Sequence, residues 1–273
     1  MRVRCAVLGS PVAHSLSPVL HRAAYAELGL DWRYDACEVT EDGLAAFLDG
    51  LDPSWRGLSL TMPLKRAVVP LLDEMSERAH QALAANTVVL DAGRRTGHNT
   101  DIPGASAALR ERYDGPLRSA VVLGGGATAA SAVLALADLG CAAFTLLVRD
   151  EGRAAGTVEA AGRHPRQPRV DVRLLGSAAP AADVLVSTIP ASAQVPDLVA
   201  LGERAEVVFD VLYDPWPTPF AEAARASGRT LVSGLDLLVH QAVLQVALMT
   251  GVEADPAELA PVMRAAGERA LRA

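Results

Sequence analysis

The sequence predicts an α/β protein whose second half is doubly wound, and three observations carry that expectation. Short apolar runs alternate with alanine-rich segments of helical periodicity, the pattern of parallel strands joined by helices that pack on the sheet. One apolar run, residues 119–123, feeds the turn Gly124-Gly125-Gly126-Ala127-Thr128-Ala129 and then a helical segment to Leu139. A chain of 273 residues has room for one large core or two medium ones, so one to two domains are expected.

Taken in order, residues 3–8 read as a buried strand that breaks at Gly9. A polar loop leads to Ser17-Pro18 and a helix to Leu28, which Gly29 stops. Ser17 before Pro18 predicts a hydroxyl N-cap with proline in the first helical position. A loop from a strand end to a helix start also offers hydroxyls and free amides to an anion, so Ser15 and Ser17 are candidates for holding a carboxylate. His14 and His21 stand seven apart with no third ligand, which argues against a metal site.

Residues 34–39 read as a strand, 41–49 as a helix, and 58–60 as a strand running into Thr61, Pro63 and Lys65. Lys65 is the only lysine among 25 basic residues; the rest are arginine. Arginine stays protonated in any protein setting, whereas a partly desolvated lysine can release its proton near neutral pH. A reaction that moves a proton can therefore use Lys65 and not an arginine; the plain alternative is a leftover surface lysine. Ser76 caps a helix through Leu83, and Asn86 and Thr87 open a strand to Leu90. Residues 97–104 form a polar turn before a helix through Arg112, with Asp101 the expected N-cap.

After a break at residues 113–116 comes the glycine turn. An apolar strand, G-x-G-x-x-A and an opening helix together are the dinucleotide fingerprint of a Rossmann domain. Gly124, Gly125 and Gly126 permit a tight turn and close approach of backbone to a pyrophosphate. Ala127 and Thr128 begin the helix whose free amides receive it. The next strand, 144–148, ends in Arg149-Asp150-Glu151-Gly152-Arg153, where an NAD site places its ribose-reading acid about 20 residues on. Arg149 takes that place and Arg153 follows one turn later, which suits the 2′-phosphate of NADP. Asp150 beside them would repel that phosphate or bind the bare 2′-hydroxyl of NAD. The two arginines favour NADP and leave NAD possible; as the plain alternative, both are solvated residues at a helix start.

Strands at 170–174, 184–187, 207–210 and 230–232 continue the alternation, and the basic turn at 163–169 reads as a solvated loop. Thr188 follows one strand end, on the nicotinamide side of such a fold. Leu212 and Tyr213 lie in the proline-rich loop 210–219 after another, and Gly234 opens a long apolar helix to Thr250. Thr188, Leu212 and Gly234 join the cofactor candidates. Gln241 on that helix, read alone, is a polar group with a local partner. A final helix spans residues 256–271.

A net charge of −7 argues against nucleic acid or an anionic membrane as partner. Cys5, Cys37 and Cys141 are odd in number, far apart and without metal spacing, so three reduced thiols in a cytoplasmic protein are expected. Neither a signal-like start nor an 18-residue apolar run is present, so the chain is expected to be soluble and unprocessed.

Together these residues resemble the shikimate dehydrogenase family (shikimate and quinate dehydrogenases) over nearly the whole length. The likeness rests on Ser15-Leu16-Ser17-Pro18 with His21, the Thr61/Pro63/Lys65 stretch, Ala85-Asn86-Thr87, Asn99-Thr100-Asp101 with Gly104, the glycine turn, the loop 210–219, and Gly234 through Gln241. The resemblance implies an oxidoreductase acting on a CH–OH group: reversible, NADP-dependent reduction of 3-dehydroshikimate to shikimate, toward chorismate and the aromatic amino acids. It implies Lys65 and Asp101 as the catalytic pair and Ser15 and Ser17 on the substrate carboxylate. Thr61, Asn86 and Gln241 would bind its hydroxyls, with Tyr213 approaching the same pocket.

It also implies a discontinuous plan: residues 1–103 plus 236–273 as an α/β substrate domain with a mainly parallel sheet, its C-terminal helices returning to it, and residues 104–235 as the Rossmann domain. Both ligands would lie in the cleft between them. The chain departs from the family at Arg22, at Ser59-Leu60, at Ala127 and at Val148-Arg149-Asp150, while Ser17 favours shikimate over quinate. The alternatives are an NAD-preferring quinate/shikimate dehydrogenase, a methylenetetrahydrofolate-dehydrogenase-like enzyme, which the Ser15/Ser17 loop disfavours, and a ligand-sensing paralogue without turnover. The last would be expected to lack Lys65 or Asp101. Monomer and homodimer are equally compatible with the sequence.

Overall fold

A computed structural model describes residues 2–253 and 255–272. It divides into two compact units. One comprises residues up to Thr100 together with those from Leu238 onward, and the other is Asp101–Leu237.

In the first unit the strands are β1 (Arg4–Gly9), β2 (Arg33–Glu38), β3 (Trp55–Leu60), β4 (Glu74–Met75), β5 (Thr87–Asp91) and β6 (Arg94–His98), in the order β2-β1-β3-β5-β6-β4. The helices are α1 (Ser17–Glu27), α2 (Leu44–Asp49), α3 (Leu64–Ala67) and α4 (Glu77–Ala82). β1 pairs in parallel with β2 and β3, and β4 with β6. The pairs β3–β5 and β5–β6 are antiparallel. Antiparallel pairing sets the start of β5 beside the end of β3, which brings Asn86 next to Leu60. Ala6, Leu8, Leu44, Leu58, Leu64 and Val88 are fully buried in one core, where each leucine or valine contributes about 1.5–3 kcal/mol of apolar burial.

In this unit three local expectations need correction. Residues 97 and 98, expected in a polar turn, end the strand β6, because Arg94–His98 is too polar to show strand alternation. The reversal before it uses Ala92 and Gly93, both at positive φ, where alanine is an unusual turn former. Ser17 is not the N-cap of α1. Leu16 holds that place in helical conformation without a side-chain cap, and Ser15 Oγ accepts from the Ser17 amide at 3.3 Å. α2 begins at Leu44 rather than at 41, because Glu41–Gly43 close turns on Thr40 and Glu41 carbonyls instead of a helix. Ser76 does cap α4, accepting from the Ala79 amide.

The second unit holds α5 (Asp101–Arg112), β7 (Ser119–Leu123), α6 (Ala127–Asp138), β8 (Ala143–Val148), α7 (Ala155–Arg163) and β9 (Arg169–Leu174). Then come β10 (Val184–Ser187), α8 (Pro196–Gly202), β11 (Val207–Asp210), α9 (Pro219–Ala226) and β12 (Thr230–Ser233). The strand order is β12-β11-β10-β7-β8-β9 and every pair is parallel, the doubly wound Rossmann arrangement. α6 is buried from Ala129 through Ala137, as its nearly all-apolar sequence requires. Asp101 is the first residue of α5 rather than the cap before it. The turn at 163–169 is pinned rather than simply solvated: Arg166 donates to the Ala137 carbonyl at 3.0 Å, and buried His164 meets Asp138 at 3.1 Å.

The chain ends in α10 (Gly234–Thr250) and α11 (Pro256–Leu271), with the bounds expected from the sequence. α11 packs on α1. No described helix is long and apolar enough to cross a membrane.

Candidate active site

In the first unit the candidate side chains gather where β1 and β3 end and β5 begins. Gly9 ends β1 so close to Thr61 that a Cβ there would lie 2.3 Å from Thr61 Cγ2. The Thr61 amide donates to Leu8 O at 2.9 Å, and the Ser10 amide to Met62 O at 3.0 Å, tying the loop that carries Ser15 and Ser17 to the one that carries Lys65. The Lys65 carbonyl accepts from the Ala85 amide at 2.8 Å, which sets α3 beside Asn86. Lys65 is half-buried, Ser17 and Asn86 are buried, and Ser15 and Thr61 are half-buried.

Asn86 is 2% exposed and fully engaged. Its Oδ1 accepts from the Thr100 amide at 2.8 Å and from Thr87 Oγ1 at 3.0 Å. A backbone amide can only donate, so this contact fixes which end of the carboxamide is oxygen. The Asn86 amino group therefore points to Thr100 Oγ1 at 2.8 Å and to Gln241 Oε1 at 3.2 Å. Gln241 is the local partner-maker the sequence suggests, donating to Leu238 O at 2.9 Å, and it reaches Asn86 as well. Thr87, Thr100 and Gln245 belong to this cluster, though none of them stands out in the sequence as a site residue. The spacing of Gln241 and Gln245, one turn apart in a mostly apolar helix, is the available signal.

Under the Ser17 end lies His21, fully buried, with Nδ1 donating to Ser17 O at 2.9 Å and its ring stacked on Tyr34 at 4.0 Å. Burial lowers its pKa to about 4, against the Ser17 carbonyl, which favours the proton, so the ring is neutral. Arg22 uses its Nε on Tyr34 O at 2.9 Å and meets Asp35, so the departure there is a surface strut.

In the second unit Gly124, Thr188, Leu212 and Gly234 meet at the carboxyl ends of parallel strands. Gly124 has φ +109° and a Cβ there would lie 2.3 Å from Thr188 Oγ1. Thr188 Oγ1 donates to Leu123 O at 2.8 Å. Val211 N donates to Ser187 O at 3.1 Å, and Gly234 N to Leu212 O at 3.1 Å, where a Cβ would lie 2.5 Å from that oxygen. Asp210, fully buried, anchors the loop that bears Leu212 and Tyr213. It accepts from Thr218 Oγ1 at 2.6 Å, Gln194 Nε2 at 3.0 Å and the Leu212 amide at 3.3 Å. Burial raises its pKa, and these donors offset that rise only in part.

The fit to a dinucleotide rests on this turn. Gly126 has nothing within 4 Å of where a Cβ would stand, leaving open space above the first amides of α6, which Ala127 and Thr128 begin. Gly125 packs against the next loop: a Cβ there would lie 2.7 Å from Arg153 O. Arg149 and Arg153 are exposed, and among the described residues neither is held in an ion pair. Asp150 accepts from the Gly152 amide at 2.9 Å, so the carboxylate that opposes NADP in the sequence is engaged as a local cap. Among the described residues no group of three His, Cys, Asp or Glu side chains is placed to hold a metal ion.

Residues 7–88 match the family model described as Shikimate dehydrogenase substrate binding domain, and residues 234–266 match Shikimate 5'-dehydrogenase C-terminal domain. The chain is 36% identical to the shikimate dehydrogenase (NADP(+)) of Moorella thermoacetica over 272 residues, covering 96% of this chain and 92% of that one. The crystal structure of Mycobacterium tuberculosis shikimate dehydrogenase superposes with a TM-score of 0.85 at 38% identity, covering 96% of this chain and 99% of that one. The Thermus thermophilus shikimate 5-dehydrogenase in complex with shikimate gives 0.83 at 33%, covering 99% of this chain and 100% of that one. This chain belongs to the shikimate dehydrogenase family.

Proposed function

We propose that this chain is a shikimate dehydrogenase, reducing 3-dehydroshikimate reversibly to shikimate with NADP on the way to chorismate. The observation that carries the reading is the position of the only lysine: half-buried, on a short helix whose carbonyl is bound by the residue before Asn86. When bound, reduced NADP supplies the hydride in the reducing direction, and the oxidised form takes it back in the other. The ketone oxygen borne by the ring carbon becomes a hydroxyl and needs a proton, which Lys65 Nζ donates, taking it back when shikimate is oxidised. Asp101, which directly follows the Thr100 that binds Asn86, is the second member of the catalytic pair.

Ser15 and Ser17 hold the substrate carboxylate; Thr61, Asn86 and Gln241 hold its hydroxyls, and Tyr213 is a further candidate for the acid. The acid falls to residues 1–103 with 236–273, and the nucleotide to residues 104–235. The amides opening α6 receive the pyrophosphate, and Arg149 and Arg153 pair with the 2′-phosphate. Thr188, Leu212 and Gly234 border the nicotinamide end. The enzyme works in the cytoplasm as monomer or homodimer.

The test is one assay of reduced-nicotinamide absorbance with NADP or NAD against shikimate or quinate. Shikimate with NADP should give the highest kcat/KM, and no turnover with any pairing would refute the reading. Asp101→Asn should lower kcat about a hundredfold while calorimetry shows shikimate still bound.

A further inference from the structure

One buried polar chain runs beneath the acid-binding side chains, and its direction can be worked out from its ends. The Asn86 carbonyl can only accept, so Gln245 turns its amino group toward it at 3.1 Å and also donates to Thr87 Oγ1 at 2.9 Å. Thr87, having accepted, donates to Asn86 Oδ1. At the other end, the Gln245 Oε1 left over accepts from Ser59 Oγ at 2.7 Å, and Ser59 in turn accepts from Tyr34 Oη at 2.5 Å. Gln245 is 1% exposed, Thr87 and Tyr34 0%, and Ser59 4%, so water does not compete for these groups. The relay Tyr34–Ser59–Gln245–Thr87–Asn86 has one self-consistent proton order. Tyr34 also carries the ring on which His21 stacks, and His21 holds Ser17.

We propose that Gln245 is a positioning residue for acid recognition: through Thr87 and the Asn86 carbonyl it locks the Asn86 carboxamide with its amino group turned toward Gln241. Gln245 itself does not touch the acid. The inference rests on the functional reading above, in which Asn86 and Gln241 hold substrate hydroxyls. A buried donor left without its acceptor costs more than the bond is worth in water, so cutting the relay at either side chain should release the same constraint.

The experiment measures the shikimate and NADP dissociation constants by calorimetry for wild type, Gln245→Met, Thr87→Val, the double variant and Thr87→Ser. Gln245→Met and Thr87→Val should each weaken shikimate about tenfold, and the double variant no more than either alone, since both act through one carboxamide. Thr87→Ser, which keeps the hydroxyl, should restore wild-type affinity, and NADP affinity should stay put throughout. Unchanged shikimate affinity in folded Gln245→Met, or additive losses in the double variant, would overturn the proposal. If Gln245→Met does not fold, the contrast between Thr87→Val and Thr87→Ser decides alone.

A second readout is independent of the substrate: the side-chain amide NMR signals of Asn86, assigned by their loss in Asn86→Asp, should shift in both relay variants. Signals that stay in place refute the relay. A wild-type chain that binds no shikimate refutes the functional reading, and the amide signals then judge the relay by themselves.

Discussion

The first unit builds its candidate site out of side chains, and the second builds its own out of backbone. The Asn86 side chain is held by carboxamides, hydroxyls and the Thr100 amide, all buried and each dependent on its neighbour's orientation. Around Gly124 the side chains are mostly missing by necessity: Gly124, Gly125 and Gly234 stand where a Cβ would collide with a hydroxyl or a carbonyl, and Gly126 leaves its space open. A small acid with several hydroxyls has to be recognised group by group, whereas a pyrophosphate needs amides that approach closely. The side-chain site gains specificity and inherits protonation states and rotamers that can go wrong. The backbone site is insensitive to pH and intolerant of any added carbon.

That contrast can be broken in several ways. The largest effect should come from protonating the side-chain unit. His21 has a folded pKa near 4 because of burial, below its ordinary 6.5, so the unfolded chain takes up the proton first. Its stabilising contribution is complete above about pH 6.5 and is lost as pH falls toward 4, in total roughly 3 kcal/mol. Urea unfolding at several pH values should show that slope, and His21→Phe should flatten it.

Next, Gly124→Val forces a branched side chain into positive φ and against Thr188. It should weaken NADP about a hundredfold in a calorimetric titration with shikimate binding intact. The mirror experiment, Asn86→Ala, should weaken shikimate about tenfold or more and leave NADP binding unchanged in the same titration. Smallest is Ser76→Ala, away from both sites, which removes the α4 cap and should cost about 1 kcal/mol by denaturant midpoint with no change in either affinity.

The same contrast explains what can be read in the sequence. Backbone sites write themselves as glycines in a fixed context, so residues 124–129 announce their turn without help, and the helices Gly234–Thr250 and Pro256–Leu271 follow from apolar periodicity with clear start signals. Side-chain sites are written in residues that occur everywhere. Asn86 and Gln241 are 155 positions apart and become candidates only through the family resemblance, while Gln245 is marked only by its one-turn spacing from Gln241 and Thr87 only as a neighbour of Asn86, although both hold the same carboxamide. β6 is hidden because a polar strand beside an Ala-Gly reversal carries neither alternation nor a familiar turn pair. Ser17 misleads because a hydroxyl before proline looks like a cap, while Leu16 already holds helical backbone angles and Ser17's carbonyl is taken by His21.

The central claim is that Lys65 moves the proton, and it is tested most directly by Lys65→Arg, which keeps the charge and removes the titration. The account predicts that kcat for shikimate with NADP falls by about a hundredfold or more while the dissociation constants of both ligands hold near wild type. A variant that turns over shikimate at close to the wild-type rate would contradict it.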